Sequence, residues 1–353
     1  MVAHHGSVSF GAASGGTNVV TVPLASHSEA PWSAFNVRGP GTVLFKNRDD
    51  NITLSGDWGG TGAVGLGGTF ILDNSVLNNT SPSDVGHLFQ GEYCTFRIMK
   101  GSILTYTWVH TSIGGANNTL HVTDPGSECN IYNARPLLGG YNNRLLIQDG
   151  AYMPVYDQFY YPNFFDGVDN LVRVSSSIPG KPAVLDLSFN NWFDGFLVFG
   201  TGNAFSLQTG GIVNCNVNFH LGLSYYDDYT ARTPGNRVIL EGGELNCKNF
   251  YVYDGNALAP VLRPGVDILP VVASVGAWFE LGSKIAPTNP EKISGRFPIV
   301  KAPVIYMPPL DDPGFFEPPP GGDIKWELKI TEDTDGQTLW LSCHHRRTLF
   351  LVK

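Results

Sequence analysis

Asn143-Arg144-Leu145-Leu146-Ile147-Gln148-Asp149-Gly150 and Asn236-Arg237-Val238-Ile239-Leu240-Glu241-Gly242-Gly243 are two statements of one phrase. An asparagine leads, two apolar residues follow at alternate positions, and a polar turn with glycine closes. The apolar pairs recur as Phe96/Ile98, Leu120/Val122, Leu145/Ile147, Val172/Val174, Phe205/Leu207 and Val238/Leu240, so that successive copies lie 24, 25, 27, 33 and 33 residues apart. In the last five copies an asparagine stands two residues ahead of the first apolar position, as Asn118, Asn143, Asn170, Asn203 and Asn236. A phrase that returns at such a period marks a repeat architecture, in which each unit buries its apolar side only against its neighbours.

The alternation in Arg144-Leu145-Leu146-Ile147-Gln148 is the period-2 pattern of a strand with one side inward. The glycines that follow permit the positive-φ turns that other residues resist. The leading asparagines are expected at corners, in left-handed conformations, hydrogen-bonding one another along the stack. No strict hexapeptide period is present, which argues against a left-handed β-helix, and a propeller blade needs about 40 residues or more. The consensus leucines and helical segment of leucine-rich repeats are missing. The expected fold is therefore all-β: a right-handed parallel β-helix, or solenoid, with rungs of uneven length and a small C-terminal antiparallel hairpin as a cap.

These phrases, together with Asn203-Ala204-Phe205-Ser206-Leu207-Gln208-Thr209-Gly210-Gly211 and a weaker early copy at Gly67-Gly68-Thr69-Phe70-Ile71-Leu72-Asp73-Asn74, resemble the repeats of bacterial autotransporter-type passenger proteins. The resemblance implies a large secreted or surface-displayed β-solenoid. It implies no activity, because the shared residues are turn and core residues, and no C-terminal membrane barrel accompanies them.

The organisation expected is an N-terminal cap with first rungs over 1–50, the parallel β-helix over 51–285, a proline-rich wrapping segment over 286–323 and a C-terminal β-hairpin over 324–353. The composition agrees with many short strands joined by tight turns: 42 Gly, 24 Pro, 12% aromatic and only 15% charged residues. A formal charge of −9 and the lack of a long basic run argue against nucleic acid and anionic lipid as partners. The most apolar stretch, Val266 to Leu281, is broken by Pro270 and Gly276, so no membrane insertion is expected. Met1 to Phe10 carries neither the basic segment nor the apolar core of a signal peptide. Of the five cysteines, Cys215 and Cys247 occupy matching places in two copies. Stacking sets them about 4.8 Å apart, as two buried thiols in a ladder or as a disulfide.

The residues that lengthen the rungs carry the chemistry. They include Tyr152 to Tyr161, Phe189 to Asp194, and Leu221 to Arg232, each after the glycine turn and before the next asparagine, and they are expected on a common side. Phe164-Phe165-Asp166-Gly167 is echoed 28 residues later by Trp192-Phe193-Asp194-Gly195, which reads these rings as core of another strand. Tyr225-Tyr226-Asp227-Asp228-Tyr229 cannot all face inward and reads as an exposed loop. Aromatic rings beside carboxylates suit a sugar surface, since ring faces cover C–H groups while polar groups bind hydroxyls. Tyr156, Asp157, Tyr160, Tyr161, Tyr225, Asp228, Tyr229 and Arg237 are the candidate carbohydrate-binding residues, and a polysaccharide or surface glycan is the expected partner of an extracellular or cell-surface protein. The alternative is an enzyme that cleaves an anionic polysaccharide, as a lyase or a glycoside hydrolase. Tyr226, Asp227, His220 and Arg232 would then be catalytic. No cofactor is implied. Asp227-Asp228 and Asp311-Asp312 offer oxygens to Ca²⁺ but lack the ordered spacing of a recognised loop.

Overall fold

The computed structural model describes residues 7–11, 17–20, 34–38, 42–46, 51–54, 69–74, 76–79, 87–89, 92–93, 95–109, 111–134, 138–157, 163–189, 195–224, 231–289, 293–310, 312–319 and 324–345. Strands are the regular elements among these residues, no helix occurs, and parallel sheets stack into a β-solenoid. Three faces wind around one core. The first face runs through Thr69–Asp73, Thr95–Met99, Thr119–Val122, Arg144–Gln148, Leu171–Ser175, Ala204–Gln208, Arg237–Glu241, Ala257–Pro260 and Lys284–Ile285. Thr17–Val20 and Thr42–Lys46 extend the same ladder at its N-terminal end. The second face contains Glu128–Ala134, Tyr152–Asp157, Ala183–Phe189 and Gly211–Cys215, and continues into Glu244–Val252 and Val271–Phe279. The third face contains Asn163–Phe165, Gly195–Val198, Asn218–Leu221, the later halves of Glu244–Val252 and Val271–Phe279, and Ile305–Tyr306.

The repeat phrase is the first face, in the register its spacing predicts. Leu120 faces Leu145, Leu145 faces Val172, Val172 faces Phe205 and Phe205 faces Val238, and all of them are buried. The early copy joins the ladder too, with Phe70 opposite Phe96 and Leu72 opposite Ile98. Across the core, Phe196, Phe219, Phe250, Phe279 and Phe315 form an interior file of rings with centroids 5.6 to 6.1 Å apart. Rings tilted or edge-on at that separation pack favourably beyond the area they bury.

The asparagines line the corner between the third and first faces as an internal hydrogen-bonded ladder. The backbone N–H of Asn118 donates to Asn143 Oδ1 at 2.8 Å, Asn143 to Asn170 at 2.7 Å, Asn170 to Asn203 at 2.9 Å, and Asn203 to Asn236 at 3.1 Å. Each Nδ2 turns back on corner carbonyls; that of Asn170 reaches Asp166 O at 2.7 Å and Gly140 O at 3.2 Å. A side chain that accepts one backbone N–H and donates to two backbone carbonyls suits a corner shut off from water. One expectation needs correction: the ladder asparagines are not left-handed. The positive φ falls one residue earlier, at Asn117, Asn142, Asp169, Gly202 and Gly235. The ladder residue must aim its amide into the stack, so the preceding residue takes the reversal. Asn256, which the apolar pairing overlooks because Pro260 stands at its second position, accepts from Asn236 at 3.0 Å and extends the ladder.

A second correction concerns the echo of Phe164-Phe165-Asp166-Gly167. The structure pairs Phe164 with Leu197 and Phe165 with Val198, and Val168 with Thr201. Gly167 therefore corresponds to Gly200, not to Gly195. The corner decides the register, because Gly140, Gly167 and Gly200 stack where a Cβ on one would strike the carbonyl of the glycine below. Trp192 and Phe193 lie outside the described residues. Cys215 and Cys247 are buried free thiols, and burial first, then the neighbouring Cys215, holds Cys247 well above its ordinary pKa.

The parallel ladder continues past Ile285. Gly295–Ala302 and Ile305–Tyr306 add strands to the second and third faces, and Phe316 bridges Ile285 on the first. The antiparallel hairpin Ile324–Asp333 and Gly336–His345 then pairs with Gly295–Ala302, so the direction of pairing reverses at this end. Its outermost strand exposes Lys325, Glu327 and Lys329 while Leu328 packs inward. Alternating charges on a terminal strand discourage further strand addition.

Candidate functional site

Three residues per strand span the third face, and alternation decides which point outward. Phe196, Phe219 and Phe250 enter the core, while Leu197, His220, Tyr251, Trp278 and Tyr306 occupy one outward column in continuous register. His220 stacks on Tyr251 at 4.6 Å and 2°, Tyr251 on Trp278 at 4.8 Å and 16°, and Trp278 on Tyr306 at 5.6 Å and 20°. These separations follow the rung spacing of about 4.8 Å, so the sheet itself brings the rings face to face. Inner rings of such a column present their edges, and Tyr306, which ends it, is 55% exposed.

At the other end, Leu197, Phe199 and Leu223 form a small apolar cluster outside the main core, with Tyr253 packed against it. His220 is buried beside this cluster, and its Nδ1 lies 2.8 Å from the Tyr253 hydroxyl. Burial raises the Tyr253 phenol above its ordinary value of 10.0, so it stays protonated and can donate to Nδ1. Arg232 covers the other side of the group. Its guanidinium lies 4.2 Å from the centroid of the Tyr253 ring and makes two bonds to Glu280, Nε to Oε2 at 3.0 Å and Nη2 to Oε1 at 2.7 Å. The Glu280 hydrogen bonds raise the Arg232 pKa. His220 and Arg232, both catalytic candidates from the sequence, thus meet through Tyr253. The imidazole is enclosed by rings and the guanidinium is paired with a carboxylate.

The 225–230 segment leaves from this place. Leu223 bridges Arg232 in antiparallel fashion, Ser224 N donates to Ala231 O at 3.0 Å, and Thr233 N to Gly222 O at 2.9 Å. These bonds fix the base of the excursion against the third face. Tyr225, Tyr226, Asp227, Asp228 and Tyr229 themselves lie outside the described residues, as do Tyr160, Tyr161 and Asp311.

The insertions do not share one side, contrary to the expectation. The chain leaves the second face at Asp157 and Phe189 and enters the third at Asn163 and Gly195, whereas 225–230 follows the third face and precedes the first. The rungs lengthen at two different corners, and the third face lies between them as a floor. Tyr156 stacks on Tyr132 at 5.1 Å, and Asp157 ends the same second-face strand. Arg237 opens the next first-face strand, exposed, where its charge acts on Glu317. Asp312 Oδ1 accepts the Gly314 N–H at 2.8 Å.

Sequence reasoning missed Tyr251, Tyr253, Trp278, Glu280 and Tyr306. The signal was the register: each stands one residue before, or just beyond, a residue committed to the core of the third face. It becomes readable only once the uneven second-face strands are aligned.

No protein-family model and no curated protein matches the chain. Among solved structures it is similar to the crystal structure of a TibC-catalysed, hyper-glycosylated TibA fragment, at 10% identity over 85% of this chain and 99% of that one, with a TM-score of 0.21.

Proposed function

We propose that this chain is a secreted or cell-surface β-solenoid that attaches to carbohydrate through the outer side of its third face. One observation carries the reading: the tyrosine- and aspartate-rich 225–230 excursion is rooted beside the outward ring column and the Arg232–Glu280 pair. Stacked rings cannot offer both faces to a sugar, so the C–H packing falls to Tyr306 at the end of the column and to Tyr225, Tyr226 and Tyr229. Arg232, Glu280 and Asp254 lie at the rim and supply bonds to hydroxyls. Attachment is favoured over cleavage because His220 is enclosed and Arg232 is already neutralised by Glu280.

Glycan-array binding followed by titration of the best ligand tests this. Replacing Tyr225, Tyr226 and Tyr229 together by Ser, or Tyr306 by Ala, should weaken binding about fivefold or more, since one ring against a sugar contributes on the order of 1 kcal/mol or more. The melting temperature should hold. Unchanged affinity in both variants contradicts the assignment. Release of unsaturated or reducing ends from uronate polysaccharides, lost in Tyr226→Phe or Asp227→Asn, would establish the enzyme instead.

A further inference from the structure

The first face carries a second feature that the proposed attachment site does not use. Its outward middle column reads Arg97, His121, Leu146 and Arg173 on four consecutive rungs, in register. Arg144 lies two residues before Leu146 on the same side and is exposed. Three arginines thus share a strip about 14 Å long. Ion pairs elsewhere on this face are local: Lys100 with Asp73 at 2.9 Å, Arg263 with Glu241 at 2.6 Å, and Lys284 with Glu317 at 2.9 Å. Among the described residues, Arg97, Arg144 and Arg173 form none.

Asp124 and Asp149, whose charges act on His121, are engaged at the corner. Asp124 accepts the Lys100 N–H at 3.0 Å, and Asp149 accepts both the N–H and the hydroxyl of Ser177 at 2.8 Å. Arg97 Nε and Arg173 Nε are shielded from solvent and meet no acceptor among the described residues. Partly shielded cations without counter-charge are costly in a sheet surface, and an arriving anion relieves that cost. The His121 imidazole reports the same field: burial first, then the Arg97 charge, lowers its pKa, while the Gln148 hydrogen bond and the Asp124 and Asp149 charges oppose them.

We propose that the outer strip of the first face from Arg97 to Arg173 binds an anionic polysaccharide, with its sulfate or carboxylate groups set against successive rungs. The strip spans only about two residues along each strand, so a slender polyanion can follow it from rung to rung, whereas a broad duplex would also meet the rest of a chain that carries −9. Leu146, at the centre, offers an apolar floor between the charged positions. The site lies on a different face from the aromatic column and stands or falls independently of it.

Dextran sulfate, neutral dextran and single-stranded poly(dT) of matched length serve as probes, measured by titration at low and high salt. Dextran sulfate should bind and neutral dextran should not. Affinity should fall steeply with salt, as expected when a polyanion's counterions are released. Replacing Arg97, Arg144 and Arg173 together by Gln should cost tenfold or more, and Arg144→Gln alone, at an exposed position, a fewfold. Lys325→Gln on the hairpin should leave binding unchanged. Wild-type affinity in the Arg144→Gln and triple variants overturns the proposal, and so does poly(dT) binding as tightly as dextran sulfate, which would mark a strip indifferent to polymer class.

Discussion

Gly167→Ala is expected to destabilise the protein by more than about 4 kcal/mol, a loss reserved for changes that break a packed or strained element outright. Two effects coincide at this position. Its φ of +91° is one that a side chain resists, and a Cβ there would run into the Gly140 carbonyl and approach Asn170 Nδ2 at 2.9 Å. The rung below cannot retreat, because Gly140 is held in the same way against Gly115. Gly180→Ala provides the contrast: φ is +69° but nothing lies within 4 Å of the added carbon. That substitution should cost only the conformational term, about 1–2 kcal/mol. Denaturant unfolding of both variants separates the effects, and equal losses would show that glycine stacking does not govern the corner.

Asn170→Ala is the second large effect. It strips the acceptor from the Asn143 N–H, and the donor from Asp166 O and Gly140 O, in a corner where Asn170 is 2% exposed. Gly140 O keeps the Val168 N–H at 2.9 Å, so the loss falls on the other two groups; at about 1–3 kcal/mol each, roughly 2–6 kcal/mol is expected in total. Asn130→Ala removes an asparagine whose bonds, at 3.4 and 3.5 Å, run to side chains on the half-buried outer surface. It should cost less than about 1 kcal/mol. Thermal melts of the two variants decide the matter; a drop in Asn170→Ala no larger than in Asn130→Ala would mean that the ladder is incidental to stability.

The sequence shows the first face well, because its strands are short, alternate strictly and return with the same asparagine. Leu145, Val172 and Phe205 could be placed opposite one another before any coordinates. The corner conformation was half legible: the asparagine was marked, but the left-handed residue ahead of it varies among Asn, Asp and Gly and leaves no single letter to recognise. The third face was hidden. Glu244–Val252 and Val271–Phe279 each run across two faces, with a register shift between Cys247 and Asn249, so a constant period cannot align Tyr251 with Trp278. His220 is a catalytic candidate in the sequence, whereas its partners Tyr251 and Tyr253 emerge only from the register of the rungs. The insertions enter at two corners rather than on one side, since rung length alone does not say where along a rung the extra residues enter.

Hydrogen exchange with and without a bound oligosaccharide tests the central claim most directly, because it maps contact onto individual strands. Added protection is expected in 222–233 and around Tyr253, Trp278 and Tyr306, on the third face, with 128–134 and 211–215 of the second face unaffected. Protection confined to the second face, or spread evenly over the solenoid, would contradict a carbohydrate surface built on the outward ring column.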